Sequence, residues 1–242
     1  MLLNIDIVIV SFAKNKELLQ VTKNCLDSLF QSENSSIVFH VKLIESNPNE
    51  NYEEYDKKWM HSLEVIHPKV PFGYHRYLNI GVKAGKSPYV VLCNSDLTFE
   101  KNWALNIINA FNQNPTALSA CSWCPQTQGS NESHVNNVYV GYRVRAEIAG
   151  WCIFQQRKIY EILGQLNEDV DFWFSDNIYS NELELRKIQH ILVPSSVVNH
   201  HENNLGKTGE TLDAKTKESY TLGQEHLYKI SLNKLIQKLK QN

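Results

Sequence analysis

Residues 88 to 96, Pro-Tyr-Val-Val-Leu-Cys-Asn-Ser-Asp, are an apolar run that ends on an amide and a carboxylate, Asn94 and Asp96. A short β-branched run bounded by proline and by polar turn residues reads as a buried strand. In an α/β sheet, ligands bind beyond the carboxyl ends of the strands, so an acid at such a tip faces the binding crevice. Asp96 is thereby a candidate metal ligand. The competing reading is a turn-forming Asn-Ser-Asp that caps the next helix.

Working outward, Ile5 to Phe12 and Ile37 to Glu45 read as strands. Between them Asn15 caps a helix that buries Leu18, Leu19, Leu26, Leu29 and Phe30. A third short strand spans Leu63 to Ile66, a helix runs from His75 to Ala84, and another starts near Asn102 with Trp103, Ile107, Ile108 and Phe111 on one face. Strands alternating with helices imply right-handed crossovers and a mostly parallel, Rossmann-like α/β sheet flanked by helices.

The second half is less regular. Leu118 to Trp123 reads as a strand, Gln126 to Asn137 as a polar loop, and Val138 to Ile153 as a strand pair around Gly141 and Gly150. A short helix from Gln156 stops at Gly164, Asp176 to Lys187 is helical, and Ile191 to Val198 is a last strand. The polar stretch from His201 to Tyr220 reads as a loop long enough to serve as a lid. In the final segment, Glu225 to Lys240, Leu232, Leu235, Ile236 and Leu239 recur at helical spacing opposite lysines. That pattern suits packing on the domain, and also peripheral contact with an anionic membrane. These readings divide the chain into a regular first half (1–115), a less regular second half (116–202), a candidate lid loop (203–220) and a C-terminal amphipathic helix (221–242).

Composition narrows the partners. The chain has 242 residues, with 24 Lys and Arg against 26 Asp and Glu, which argues against a broad basic footprint for nucleic acid. Five scattered cysteines read as buried thiols in a reducing compartment. Cys121 and Cys124 have C-x-x-C spacing, but no second ligand pair follows at zinc-finger distance. The first residues carry no cationic leader and no run approaches the roughly 20 apolar residues of a membrane span, so the expected location is the cytoplasm.

Several separated pieces together resemble a family 2 glycosyltransferase of the GT-A fold. They are Ile-Val-Ile-Val-Ser-Phe (7–12), Leu-Ile-Glu-Ser (43–46), Pro-Phe-Gly (71–73) with Asn79-Ile-Gly81, Ser87 to Asp96, Ala149-Gly-Trp-Cys-Ile-Phe154, Phe172-Trp-Phe-Ser-Asp176, and Val197-Val-Asn-His-His201. The resemblance implies a parallel nucleotide-binding sheet joined to a smaller mixed acceptor-side sheet, and transfer of a sugar from a nucleotide-diphosphate donor, UDP-sugar first, to an acceptor hydroxyl. It implies a divalent cation, Mn²⁺ or Mg²⁺, on Asp96, where Asn94 departs from the family's first acid, and on the late histidine, His200, with His201 as the adjacent competitor.

By the same resemblance Ser11, Phe12, Glu45, Asn79, Asn94 and Ser95 line the nucleotide-sugar site, and Lys207 on the lid meets the pyrophosphate. Asp176 is the implied general base of an inverting transfer, although Ser175 replaces the family's Glu; Asp171 and Asp169 are its alternatives. Trp151 and Trp173 are candidates to stack on a sugar or base. The acceptor stays open among a cell-surface glycan intermediate, a protein, a small molecule and a hydroxylated base in phage DNA, for which basic pairs such as Arg143/Arg145, Arg157/Lys158 and Arg186/Lys187 could line a groove. A sugar-phosphate nucleotidyltransferase is a competing expectation, but the first strand is followed by no glycine-rich loop. A non-catalytic carbohydrate-binding protein on the same fold is another.

Overall fold

The run that ends at Asp96 lies in the middle of a sheet. In the computed structural model, which describes residues 2–55, 61–201 and 214–241, the first strand β1 (Leu3–Ser11) is flanked by β2 (Ile37–Glu45) on one side and β4 (Tyr89–Asn94) on the other, all parallel. β3 (Ser62–Ile66) extends this parallel half beyond β2. Ile5, Ile7 and Ile9 are fully buried, and so are Val90, Val91 and Cys93, as continuous apolar runs covered by helices on both faces must be.

Helix α1 (Lys16–Gln31) follows β1, and the Asn15 side chain caps it by accepting from the Leu18 N–H at 2.9 Å. Helix α2 (Tyr74–Ala84) lies against β1 so closely that a Cβ on Gly81 would stand 2.3 Å from a Val8 methyl. At the opposite end of β1 from the ligand-facing tips, buried Asp6 pairs with Arg157 and accepts from the Ser87 N–H and hydroxyl. Removing either partner would leave a buried charge uncompensated, at a cost of about 3–5 kcal/mol. Helix α3 (Trp103–Gln113) places the fully buried Trp103 between Phe39, Phe99 and Phe154.

The second half is mixed. The complete order is β3-β2-β1-β4-β8-β6-β9-β5, where β5 is Leu97–Phe99, β6 Ala117–Trp123, β8 Cys152–Gln156 and β9 Gln189–His200. β8 runs antiparallel between β4 and β6, and β9 pairs parallel with β6 before crossing to β5. The register of β6 against β9 slips between Ser122 and Trp123, which bends β9 toward β5.

Three sequence expectations change here. The stretch Val138 to Ile153 is no hairpin: β7 (Tyr139–Val140) pairs with β9, whereas β8 inserts between β4 and β6. Its two apolar ends therefore belong to different neighbours, joined by turns with a single bridge from Val144 to Ile148. The three-residue strand β5 has no periodicity of its own and is set by β9 alone. The polar segment expected to be a loop as far as Tyr220 is helical from Ala214, where Ala, Lys and Glu, all good helix formers, fill four of the first five positions.

Two short helices, α4 (Pro125–Gln128) and α5 (Tyr160–Leu163), precede α6 (Ser175–Leu185), and α7 (Ala214–Lys240) closes the chain. α7 packs on α6 and buries Leu235. Among the described residues no helix is long and apolar enough to cross a membrane.

Candidate active site

The site forms where the tips of β1, β2 and β4 meet the ends of β8 and β9. Pairing of β5 with β9 sets Leu97 opposite His200, so the imidazole comes beside the residue before Leu97, Asp96. His200 Nε2 lies 3.4 Å from Asp96 Oδ1, and both residues are about 6% exposed. Neither carboxylate oxygen of Asp96 accepts a hydrogen bond among the described residues. An unsatisfied buried carboxylate is costly unless a cation meets it. One carboxylate and one imidazole also suit Mn²⁺ or a similar divalent ion, with the remaining positions left for phosphate oxygens and water. Among the described residues no cluster of three or more His, Cys, Asp or Glu could hold a metal. His201, the alternative ligand, is exposed and bonds Thr98 Oγ1 at 2.8 Å.

Gly150 and Trp151 form the floor. Trp151 stacks on His200 at 4.8 Å and 5°, and its carbonyl accepts from the Asn94 N–H at 2.9 Å. It is 9% exposed, so its ring supports the histidine from below and offers little surface to a sugar. Gly150 brings in the second carboxylate, because a Cβ there would stand 2.8 Å from Asp176 Cβ and 3.3 Å from Asp176 Oδ2. Asp176 opens α6, accepts from the Asn177 N–H at 2.9 Å, and has its pKa raised by burial against the opposing effects of backbone N–H groups and Arg145. A carboxyl shifted upward toward working pH is suited to proton transfer.

The two arms are tied by a residue the sequence did not single out. The Tyr74 hydroxyl lies 2.8 Å from Asn94 Oδ1 and 3.2 Å from the Gly150 carbonyl oxygen. Burial, with nearby thiols and the carboxylates of Asp96 and Asp176, holds its pKa well above the ordinary value, so it stays a neutral donor. No sequence signal distinguishes Tyr74 from other aromatic core residues, since its partners are 20 and 76 residues away.

The other expected residues divide into two groups. Ser11 and Glu45 stand side by side at the tips of β1 and β2, and Val10 is level with Asn94. Glu45 is fully buried and accepts from the Ala13 N–H, the Asn47 N–H and the Tyr52 hydroxyl, so it fixes the loops around a nucleoside position. The Ser11 hydroxyl bonds Thr22. Phe12, 52% exposed, and the partly exposed Ser95 remain open to a ligand. Asn79 does not join them: its amide bonds Leu166 in both directions and Glu168, on the loop before α6. Lys207 lies outside the described residues.

Trp173 is 38% exposed three residues before Asp176, and it touches Phe172 edge-on. In each of the three basic pairs one arginine is already committed within the chain, Arg143 to Glu147, Arg157 to Asp6 and Arg186 to Glu182. All five cysteines are free and buried, and Cys121 is bonded to Ala149, so the C-x-x-C spacing holds no pair.

Residues 6–162 match the model of glycosyl transferase family 2. The chain belongs to that family. Its fold is that of the GT-A glycosyltransferases, including GalNAc-T7 with UDP, GalNAc and Mn²⁺ (TM-score 0.65, 16% identity, covering 82% of this chain and 43% of that one). The mannosyltransferase PcManGT from Pyrobaculum calidifontis, in complex with GDP-Man and Mn²⁺, gives a TM-score of 0.59 at 13% identity, covering 81% and 56% of the two chains. S. aureus TarS 1-349 in complex with UDP-GlcNAc gives 0.59 and 13%, covering 81% and 58%. The chain thus spans about half the length of these structures. No curated protein sequence matches it. The family match ends before Asp176, His200 and α7.

Proposed function

We propose that the protein is a metal-dependent, inverting glycosyltransferase that moves a hexosyl or pentosyl group from a nucleotide-diphosphate sugar, a UDP-sugar foremost, to an acceptor hydroxyl. The observation that carries this reading is the buried Asp96 carboxylate, without a hydrogen-bond donor among the described residues, facing His200 across a floor shared with Asp176. The ligands in the similar structures, UDP, UDP-GlcNAc, GDP-Man and Mn²⁺, support the donor class.

Asp96 and His200 would hold Mn²⁺ or Mg²⁺, which neutralises the diphosphate as the anomeric C–O bond breaks. The chain's own residues do the rest. The loops fixed by Glu45 position the base and ribose, with Phe12 and Ser95 in contact. Asn94, held by Tyr74, meets the donor beside Asp96. Asp176 takes the proton of the acceptor hydroxyl as it attacks, a single base on the face opposite the leaving group, as inversion requires. Trp173 borders the acceptor; Lys207, expected at the diphosphate, lies outside the described residues. The acceptor is a cell-surface glycan intermediate, a protein, a small molecule or a hydroxylated base in phage DNA; one arginine of each basic pair is already engaged within the chain, which leaves Arg145, Lys158 and Lys187 for a nucleic-acid backbone.

Release of nucleoside diphosphate from a panel of UDP- and GDP-sugars with Mn²⁺, repeated with EDTA, tests the reading. Asp176→Asn is expected to lower turnover by about 10²-fold or more while leaving Mn²⁺-dependent UDP binding intact. Turnover unaffected by EDTA, or full activity in Asp176→Asn, would falsify the mechanism.

A further inference from the structure

The loop that delivers Asp176 is gripped from two sides. On one side α2 holds its beginning: Asn79 bonds Leu166 and Glu168, His75 Nδ1 lies 2.7 Å from the Asn167 carbonyl oxygen, and Arg76 pairs with Glu168 at 3.3 Å. α2 also reaches Asp171, whose carbonyl oxygen accepts from the Tyr74 N–H at 2.5 Å, and on the other side stands α7, which lies outside the family match. Gln224 Oε1 accepts from the Asp171 N–H at 2.7 Å and the Phe172 N–H at 3.4 Å. Asn167 donates to Ser231 Oγ at 2.9 Å, Asn181 donates to the Tyr228 hydroxyl at 2.8 Å, and Phe174 stacks on the Tyr228 ring at 5.3 Å and 11°.

Two features separate this contact from ordinary helix packing. A helix that merely covers a core buries its apolar face. α7 also buries two polar residues, Gln224 and Ser231, at 4% and 2% exposure, beside Leu235 at 7%, and leaves Leu222, Leu227 and Ile230 at 59%, 39% and 38%. Both buried polar residues bond the loop. In addition Phe174, two residues before Asp176, has φ +68°, a left-handed conformation that an aromatic residue adopts only when its surroundings over-determine it. The stack on Tyr228 and the bonds from Gln224 supply that determination.

We propose that α7 is a positioning element of the transfer reaction, with Gln224 as the positioning residue that locks residues 171–174 so that Asp176 is presented over Gly150. This rests on the reading of Asp176 as general base. Gln224→Met removes the acceptor oxygen at nearly constant volume, and Tyr228→Phe keeps the ring stack while removing one hydroxyl. Hydrogen exchange of residues 167–176 is expected to rise about tenfold in Gln224→Met, the factor expected for the lost N–H bonds, with β1 and β4 unchanged. Tyr228→Phe should stay close to wild type.

Hydrolysis of UDP-glucose, UDP-galactose, UDP-N-acetylglucosamine and GDP-mannose with Mn²⁺ should show a fall in kcat of about fivefold to tenfold in Gln224→Met with donor KM unchanged, a split that general loosening would not produce. Unchanged exchange, unchanged kcat, or equal effects of the two variants would overturn the proposal. A wild-type protein that releases no nucleotide would overturn the functional reading, and with it the catalytic role. Exchange would then decide separately whether Gln224 holds the loop.

Discussion

The two carboxylates of the site are held in opposite ways. Asp96 follows a strand paired on both sides, and its position is inherited from a backbone ladder that runs through the core. Asp176 follows an irregular loop whose place is set by side chains from α2 and α7 and by one residue in a left-handed conformation. A ladder fixes position through many equivalent bonds, whereas the loop depends on a few inequivalent ones. The strand-held acid should therefore fail only by losing its chemistry, and the loop-held acid by small changes at a distance.

The largest effect should come from the strand side. Asp96→Ala removes the carboxylate proposed to hold the cation, and loss of metal-dependent turnover on the order of 10³-fold is expected, together with loss of Mn²⁺-dependent UDP binding in calorimetry. Retained Mn²⁺ dependence would end the contrast, because the metal would then sit elsewhere. Gly150→Ala comes next. Its new Cβ would meet Asp176 Cβ at 2.8 Å and push the base aside, which should lower kcat by about 10²-fold while UDP and Mn²⁺ bind as before.

Tyr74→Phe tests the tie between the two arms. Loss of a buried hydroxyl that bonds Asn94 and Gly150 should reduce stability by about 1–3 kcal/mol in denaturant titration, and turnover about tenfold. The smallest effect concerns pH. Burial raises the Asp176 pKa, and a general base works deprotonated, so the rate should fall as pH drops through a midpoint above the ordinary aspartate value. Arg145 opposes that rise, and Arg145→Gln should move the acid limb of the pH profile further upward. A downward move would show that the limb belongs to another group.

The same contrast explains what the sequence made legible. β2 matches its expected bounds, Ile37–Glu45, and β1, α1, α2 and β6 fall within a few residues of theirs, because apolar runs with helix caps carry local signals. Asp96 was visible for the same reason, as the polar end of a strong strand. What escaped was non-local. β5 exists only because β9 bends across to it, and β7 and β8 looked like one hairpin because nothing in residues 138–153 tells which neighbour each pairs with.

Asn79 has the sequence neighbours of a nucleotide ligand, yet its amide is taken up by Leu166 and Glu168, an arrangement set by chain folding 87 residues away. Trp151 announced itself as an aromatic near the site, but its position under the imidazole could not be read from its identity. Tyr74 and Gln224 gave no signal at all. Each acts through one polar group on partners far along the chain.

The bond from the Asn94 N–H to the Trp151 carbonyl continues the antiparallel pairing of β4 with β8 just beneath the site. The span between the leaving-group end and the base end therefore rests on a rung of sheet, which does not lengthen to suit a larger substrate. Adaptation to a new acceptor must then come from the other boundary, residues 171–174. Directed variation aimed at acceptor range belongs there, with residues 149–152 left as the fixed gauge of the reaction.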